Sequence, residues 1–141
     1  MQGVGWRRLC CCVDFSEQSR VALRVAVDLC RRFGAELMLL HVEDRRAHAP
    51  SAESASSDRL AEWGREAEGS GVRVVAAHEH GDPKDRIVQV AQERGVDLVV
   101  LGTKGSTGRD RVLAGSVAEN VVRRATCPVL SVHADWAPAP A

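Results

Sequence analysis

The sequence has no apolar run that approaches the roughly 20 residues needed to cross a bilayer. The apolar stretch at 9–13 is too short to serve as the hydrophobic region of a signal peptide. Neither sign of charge prevails, because 19 basic residues face 19 acidic ones. These absences argue against a membrane protein, a secreted protein and a general affinity for nucleic acid. We therefore expect a cytoplasmic protein.

Indications of a disulfide framework or a metal site are also scarce. The number of cysteines is 5, which is odd, and no CxxC pair occurs. Three cysteines are consecutive at 10–12, where side chains of a strand alternate between faces, so we interpret them as small buried apolar residues, with redox sensing as the alternative. His78 and His80 share one strand face and could begin a metal site, but no third ligand stands out. We therefore predict a partly exposed strand end there and no metal site.

Short apolar segments alternate with amphipathic ones along the 141 residues, a length that fits one domain. Strands are predicted over residues 9–13, 37–42, 72–77, 97–101 and 128–132. Helices are predicted after the first strand, over 58–67, from Pro83 behind an Asp82 cap, and from Ser116. Helical spacing places Phe33 and Val122 on buried helix faces. The alternation predicts a single-domain α/β fold, an open five-stranded parallel sheet with helices on both faces.

Two segments carry no regular pattern. Residues 43–57 are polar and contain a proline and several serines, so we expect a flexible connection. Residues 134–141 are rich in proline and alanine and cannot build a core, so we expect a disordered tail after a domain that spans 1–133.

The loop after the fourth strand carries the chemistry. In parallel α/β sheets, ligands bind beyond the carboxyl ends of the strands at the topological switch point. The segment 102–116 is rich in glycine and has a local charge of about +2, counting each group as one unit, from Lys104, Arg109, Arg111 and Asp110. Gly115 and Ser116 are predicted to open the last helix and to present free N–H groups to an anion. The loop matches neither a Walker A motif nor a GxGxxG turn, so these residues alone predict a site for phosphate or another anion.

Simpler explanations exist for the same residues. Ser116 and Glu119 match a capping box, which is compatible with phosphate binding by the same helix end. Asp14 could cap the first helix, although Ser16 can do so as well. Glycines in the loop could form turns only, and its cations could be solvated.

The spacing Gly102-x2-Gly105-x9-Gly115-Ser116 resembles the motif G-x2-G-x9-G-[ST] of ATP-binding universal stress proteins. Three further segments resemble that family in the same order: 13–16, 39–42 and 125–129. The resemblance extends from about residue 8 to residue 132. It implies a Rossmann-like fold of the adenine nucleotide alpha-hydrolase type.

The resemblance also implies which positions contact the nucleotide. Asp14 would lie beside the nucleoside, and the backbone of Val42 would face the edge of the adenine. The glycines at 102 and 105 would line the turn over ribose and phosphates, and the start of the last helix would hold the phosphates. The full set of predicted binding residues is Val13, Asp14, Val42, Gly102, Thr103, Gly105, Gly115, Ser116 and Val117. The expected ligand is ATP, with ADP or AMP as alternatives, together with Mg²⁺.

We thus expect an ATP-binding regulatory stress-response protein that acts on an unknown protein partner. No GxSxG motif or triad is present, and we predict no catalytic residues. At most, we expect slow ATP hydrolysis or autophosphorylation, with Thr103, Ser106 and Thr107 as candidate phosphate acceptors. The alternative is a nucleotide-independent interaction module that forms a homodimer through the strand 128–132, as members of this family commonly do. A flavodoxin-like electron carrier is a third candidate.

Overall fold

The structure, a computed structural model, describes residues 2–44, 46, 51–103 and 108–139, with only the course of the backbone over 108–115. Strands and helices alternate in this part of the chain. They are β1 (Arg8–Cys12), α1 (Glu17–Phe33), β2 (Glu36–Glu43), α2 (Ala52–Glu68), β3 (Val74–His80), α3 (Pro83–Glu93), β4 (Leu98–Thr103), α4 (Gly108–Arg124) and β5 (Val129–His133). The strands form one parallel sheet in the order β3-β2-β1-β4-β5. The predicted fold class is confirmed.

Both faces of the sheet are covered, because successive side chains of each strand enter two different apolar clusters. Leu9 and Cys11 of β1 belong to the cluster that α1 and α2 complete with Ala22, Leu60 and Trp63. Cys10 of the same strand belongs to the cluster that α3 and α4 complete with Val90 and Val121. Cys10 and Cys11 are fully buried, and both are free thiols. The interpretation of these cysteines as core residues is therefore confirmed for this pair.

Helices α1 and α3 begin with side-chain caps. Ser16 precedes α1 and its Oγ accepts the N–H of Ser19 at 3.2 Å. Asp82 precedes α3 and its Oδ1 accepts the N–H of Lys84 at 3.0 Å, with Pro83 in the first helical turn. The predicted starts of both helices are confirmed, because cap residues of these types satisfy N–H groups that have no partner within the helix.

Three predicted element boundaries are wrong by three residues or more. Helix α2 starts at Ala52, six residues before the prediction, because 52–57 contains neither glycine nor proline to break a helix, although its serines resemble a loop. Strand β3 runs to His80 because it pairs with β2 as far as Glu43. Helix α4 starts at Gly108 and not at Ser116, since 109–114 also lacks a helix breaker.

Two side chains predicted to be buried are exposed. Phe33 is 41% exposed and packs its ring against Trp6, with the ring centroids 5.0 Å apart. Val122 is 55% exposed on α4. Both positions lie at the margin of an apolar helix face, where spacing alone does not separate buried from exposed residues.

The described residues after β5 begin with a turn. The N–H of Ala134 donates to the carbonyl of Thr103 at 3.1 Å, and the N–H of Trp136 donates to His133 at 2.9 Å. Disorder of 134–141 stays a prediction. Among the described residues, no helix has the length and apolar character required to cross a bilayer.

Candidate functional site

A cavity of about 280 Å³ opens at the carboxyl ends of β1, β2 and β4. The sheet is built outward from β1 in one direction through β2 and β3, and in the other direction through β4 and β5. The cavity therefore lies at the topological switch point, where α/β folds of this kind bind ligands. Its walls include Cys12, Val13, Asp14, Leu40, Val42, Pro83, Ile87, Leu101, Gly102, Val117 and Ala118.

Asp14 is held in place by two serines at the start of α1. Its Oδ1 accepts the backbone N–H of Ser16 at 3.0 Å, the Ser16 hydroxyl, and the Ser19 hydroxyl at 2.8 Å. Partial burial opposes ionisation of Asp14, but these hydrogen bonds outweigh it and hold the pKa of the carboxyl below its ordinary value. Asp14 thus presents an oriented carboxylate at the cavity wall, with no described residue donating a hydrogen bond to its Oδ2.

Phe15 forces the chain to turn directly after Asp14. Its φ of 67° lies in the left-handed region, which is rare for a residue with a bulky side chain. The Phe15 ring packs against His41 and Trp63, at centroid distances of 4.7 Å and 5.3 Å. These ring contacts fix the turn that directs the Asp14 carboxyl toward the cavity, so Phe15 is a positioning residue that the sequence did not reveal.

The backbone of Val42 faces the gap above the end of β1. The carbonyl of Leu40 accepts the N–H of Val13 on the β1 side, whereas the carbonyl of Glu43 accepts the N–H of Gly81 on the β3 side. Because backbone polar groups alternate between the two sides of a strand, the N–H and C=O of Val42 point to the β1 side. Register pairing with β1 ends at Leu40, so these groups are directed into the cavity region.

Gly102 lies at a close contact between β4 and α1. A Cβ at this position would lie 2.5 Å from the carbonyl oxygen of Gln18 and 2.7 Å from its carbonyl carbon. Only glycine therefore allows the start of α1 to approach β4 and close the cavity from that side.

Comparison with known proteins identifies the family. A model of the universal stress protein family matches residues 5–133. The chain belongs to the universal stress protein family. It is 36% identical over 131 residues to universal stress protein MJ0531 of Methanocaldococcus jannaschii. That alignment covers 84% of this chain and 77% of that protein. It is 30% identical over 140 residues to universal stress protein YxiE of Bacillus subtilis, which covers 86% of this chain and 95% of that protein.

Solved structures of universal stress proteins share the fold. Protein MJ0577 of Methanocaldococcus jannaschii superposes with a TM-score of 0.80 at 28% identity, covering 96% of this chain and 100% of that chain. A universal stress protein in complex with cAMP superposes with a TM-score of 0.74 at 25% identity, covering 92% of this chain and 98% of that chain. A cyclic adenine nucleotide is thus the ligand of that relative.

The structure brings together one part of the predicted set of binding residues. The cavity wall contains Val13, Asp14, Val42, Gly102 and Val117. Val13 and Asp14 follow β1, Val42 and Gly102 lie near the carboxyl ends of β2 and β4, and Val117 lies on α4, so only the folded sheet makes them neighbours.

The remaining predicted residues lie elsewhere or outside the described part. Thr103 follows Gly102 on β4, and its Oγ1 is 3.4 Å from Nδ1 of His133 on β5. Gly115 and Ser116 lie inside α4 and not at its start. In a regular helix their N–H groups donate to carbonyls four residues earlier, so the predicted helix N-terminus at these residues is wrong. Gly105 lies outside the described residues.

A second polar cluster lies on the other face of β2 from the Val42 side chain. His41, Glu43 and His78 each offer a ligand atom, and these atoms lie within 4.8 Å of one another. His80 instead contacts Glu53 of α2 through its Nε2. Burial lowers the pKa of His41, and its hydrogen bond to Val13 and the charge of Glu43 oppose that effect only in part. The three groups beside the two predicted histidines are His41 and Glu43 of β2 and Glu53 of α2, which no local sequence pattern places next to them.

Proposed function

We propose that this universal stress protein is a regulatory protein of the stress response that binds ATP, with Mg²⁺, in the switch-point cavity. The observation that carries the proposal is that the oriented Asp14 carboxylate and the backbone N–H and C=O of Val42, which point to the β1 side, both lie at the cavity wall. The complex of a relative with cAMP supports an adenine nucleotide as the ligand class.

The two groups suit different parts of adenosine. The N–H and C=O of Val42 can pair with the edge of the adenine, which offers an acceptor nitrogen and an amino donor side by side. The Oδ2 atom of Asp14 can accept a hydrogen bond from a ribose hydroxyl. A cavity of about 280 Å³ is small for an ATP site, so we place adenosine inside it and the phosphates toward 102–116.

Mg²⁺ would be held mainly by the phosphates. Asp14 is the one carboxylate among the described residues of the cavity wall, and its Oδ1 already accepts hydrogen bonds from two serines. Mg²⁺ in nucleotide sites commonly keeps several waters and takes few protein ligands, so this wall is compatible with an ion that arrives with ATP.

Isothermal titration calorimetry on two variants of α4 tests the proposal. Val117→Trp places a large ring in the cavity wall, whereas Val122→Trp adds the same ring on the exposed face of the same helix. We expect wild type and Val122→Trp to bind ATP with Mg²⁺, and Val117→Trp to lose that binding while circular dichroism shows an intact fold. Equal binding by both variants, or no binding by nucleotide-free wild type, would contradict the proposal.

The same protein samples can be used to identify the preferred nucleotide and to test whether it is hydrolysed. Titration with ADP, AMP and cAMP ranks the adenine nucleotides, and phosphate release measures hydrolysis. Thr103 is the candidate phosphate acceptor within the described residues, and it lies at the end of β4 beside the cavity. If the Thr103→Val variant still incorporates labelled phosphate from ATP, the phosphate acceptor is a residue other than Thr103.

A dimeric interaction module is the second candidate function. Strand β5 is an edge of the sheet, and Leu130 on it is 36% exposed. An edge strand with an exposed apolar side chain is a pairing surface, so we propose a cytoplasmic homodimer through 128–132. Light scattering on wild type and Leu130→Arg tests this, with dimers expected for wild type and monomers for the variant. Monomeric wild type would refute the dimer.

A further inference from the structure

The register of β2 against β3 places four polar side chains on one face of the sheet. His41 lies opposite His78, and Glu43 lies opposite His80. Alternate residues of a strand share a face, so these four residues form a compact group at the carboxyl ends of the two strands. The ligand atoms of His41, Glu43 and His78 lie within 4.8 Å of one another.

Two distances within this triad are long for hydrogen bonds and match the spacing of two ligands around a shared metal ion. Nε2 of His78 is 3.4 Å from Oε1 of Glu43, and Nε2 of His41 is 3.6 Å from the same oxygen. Hydrogen bonds between nitrogen and oxygen usually span about 2.7–3.2 Å. Two ligand atoms of a tetrahedral Zn²⁺ site, each at about 2.0–2.1 Å from the ion, lie roughly 3.4 Å apart.

The hydrogen bond made by His41 leaves its other ring nitrogen available as a ligand. Nδ1 of His41 is 2.8 Å from the carbonyl oxygen of Val13, and a carbonyl can only accept, so Nδ1 carries the proton. Neutral imidazole then has its lone pair on Nε2, and a backbone carbonyl is a common orienting partner of metal-bound histidine.

Nε2 of His41 is buried and has no hydrogen-bond partner in the described structure. The His41 side chain is only 10% exposed, and that nitrogen faces the Glu43 carboxylate. A buried lone pair that accepts no hydrogen bond is unfavourable unless a cation binds it. We propose that His41, Glu43 and His78 bind one Zn²⁺ ion through Nε2, a carboxylate oxygen and Nε2.

The types of ligand atom and the exposure of the site favour zinc. Two imidazoles and one carboxylate suit Zn²⁺ better than Mg²⁺ or Ca²⁺, which prefer oxygen ligands. The Glu43 side chain is 4% exposed and that of His78 is 18% exposed, so an ion can enter past His78. Three protein ligands leave a fourth position of the tetrahedron for water. His41 also lines the switch-point cavity, so zinc binding is measured without nucleotide.

Titration of the metal-free full chain with Zn²⁺, in the absence of nucleotide, tests the site. We expect one saturable ion per chain, and Glu43→Gln and His78→Gln to weaken binding by about 100-fold or more, at or beyond the upper end of losses measured for outer-shell residues. His80→Gln is the matched control, because His80 lies on the same face of β3 but contacts Glu53. This control is expected to bind Zn²⁺ within about twofold of wild type.

Two further measurements keep the result interpretable. At a Zn²⁺ concentration above the Kd of wild type and well below that of Glu43→Gln, Zn²⁺ should raise the Tm of wild type by mass action and leave that of the near-isosteric variant unchanged. Co²⁺ substituted for Zn²⁺ should show no near-ultraviolet thiolate charge-transfer band, because the five cysteines take no part. Absence of saturable binding, a thiolate band, or a loss in His80→Gln as large as in His78→Gln would overturn the assignment. None of these outcomes depends on whether ATP binds in the cavity.

Discussion

Gly102→Ala tests the claim that contact between β4 and α1 defines the cavity. The new Cβ would lie 2.5 Å from the carbonyl oxygen of Gln18 and 3.1 Å from the Cβ of Gln18. The obstructing atoms at the shortest distances belong to the backbone, so no side-chain rotation relieves the clash. Helix α1 must instead move away from the sheet, and this movement reopens the wall formed by Asp14 and Gly102.

The expected loss of stability is near the upper end of the range for overpacked sites, about 3 kcal/mol. For a domain of this size that loss lowers Tm by roughly 10 °C. Urea unfolding followed by far-ultraviolet circular dichroism measures the change. Binding of ATP is expected to weaken as well, because the displaced helix carries the serines that orient Asp14.

Gly64→Ala is the matched control, with an expected effect of opposite sign. Gly64 lies inside α2, and a Cβ there would meet only Cγ1 of Val74 at 3.8 Å and Cδ2 of Leu39 at 4.0 Å, which are ordinary contacts. Alanine is favoured over glycine inside a helix, so this variant should gain about 0.5–1 kcal/mol. If Gly102→Ala proved as stable as wild type, the close approach of α1 to β4 described above would be refuted.

Three other perturbations have defined outcomes. Asp82→Ala should cost about 1 kcal/mol through loss of the α3 cap, whereas Asp82→Asn should cost only a few tenths; equal losses in urea unfolding would argue against the cap. The lowered pKa of Asp14 stabilises the fold above pH of about 3.9, and this contribution is lost as pH falls through the folded-state value, so acid unfolding of Asp14→Asn should depend less on pH. ATP should slow alkylation of Cys12, which lines the cavity, and leave that of Cys127 unchanged by peptide mass spectrometry; equal rates at Cys12 with and without ATP would contradict the proposed site.

The sheet could be predicted because its strands are short apolar runs and two of the helices between them begin at recognisable caps. Asp82 followed by Pro83 determines the start of α3 by local chemistry alone, and the prediction is confirmed. Apolar residues on both faces of β1 predict a strand covered by helices on both sides, and the two core clusters have this arrangement.

The errors occur where local composition does not decide the conformation. The serines in 52–57 are typical of loops, yet this stretch forms the first turns of α2. The start of α4 at Gly108 shows the same effect, since glycine and a capping serine at 115–116 resemble a helix start within a longer helix. Tertiary packing overrides such weak local preferences.

Some residues of the candidate site could likewise be predicted from the sequence, and others could not. Asp14 and Val42 could be predicted as cavity residues because they lie at the carboxyl ends of strands that a parallel sheet brings together. The triad could not, because joining His41 and Glu43 to His78 requires the knowledge that β2 and β3 are neighbours and in which register. The turn at Phe15 was also beyond prediction, since its φ depends on ring contacts with residues far along the chain.

The most direct test of the central claim is an amide nitrogen–proton correlation spectrum of the labelled protein during titration with AMP. We expect the largest shift changes at the backbone N–H groups of Val42 and Gly102, with further changes at Asp14 and Val117. Saturation of these changes at one nucleotide per chain would support adenosine in the switch-point cavity. Changes confined to other regions, such as the opposite end of the sheet near Trp6, would contradict it.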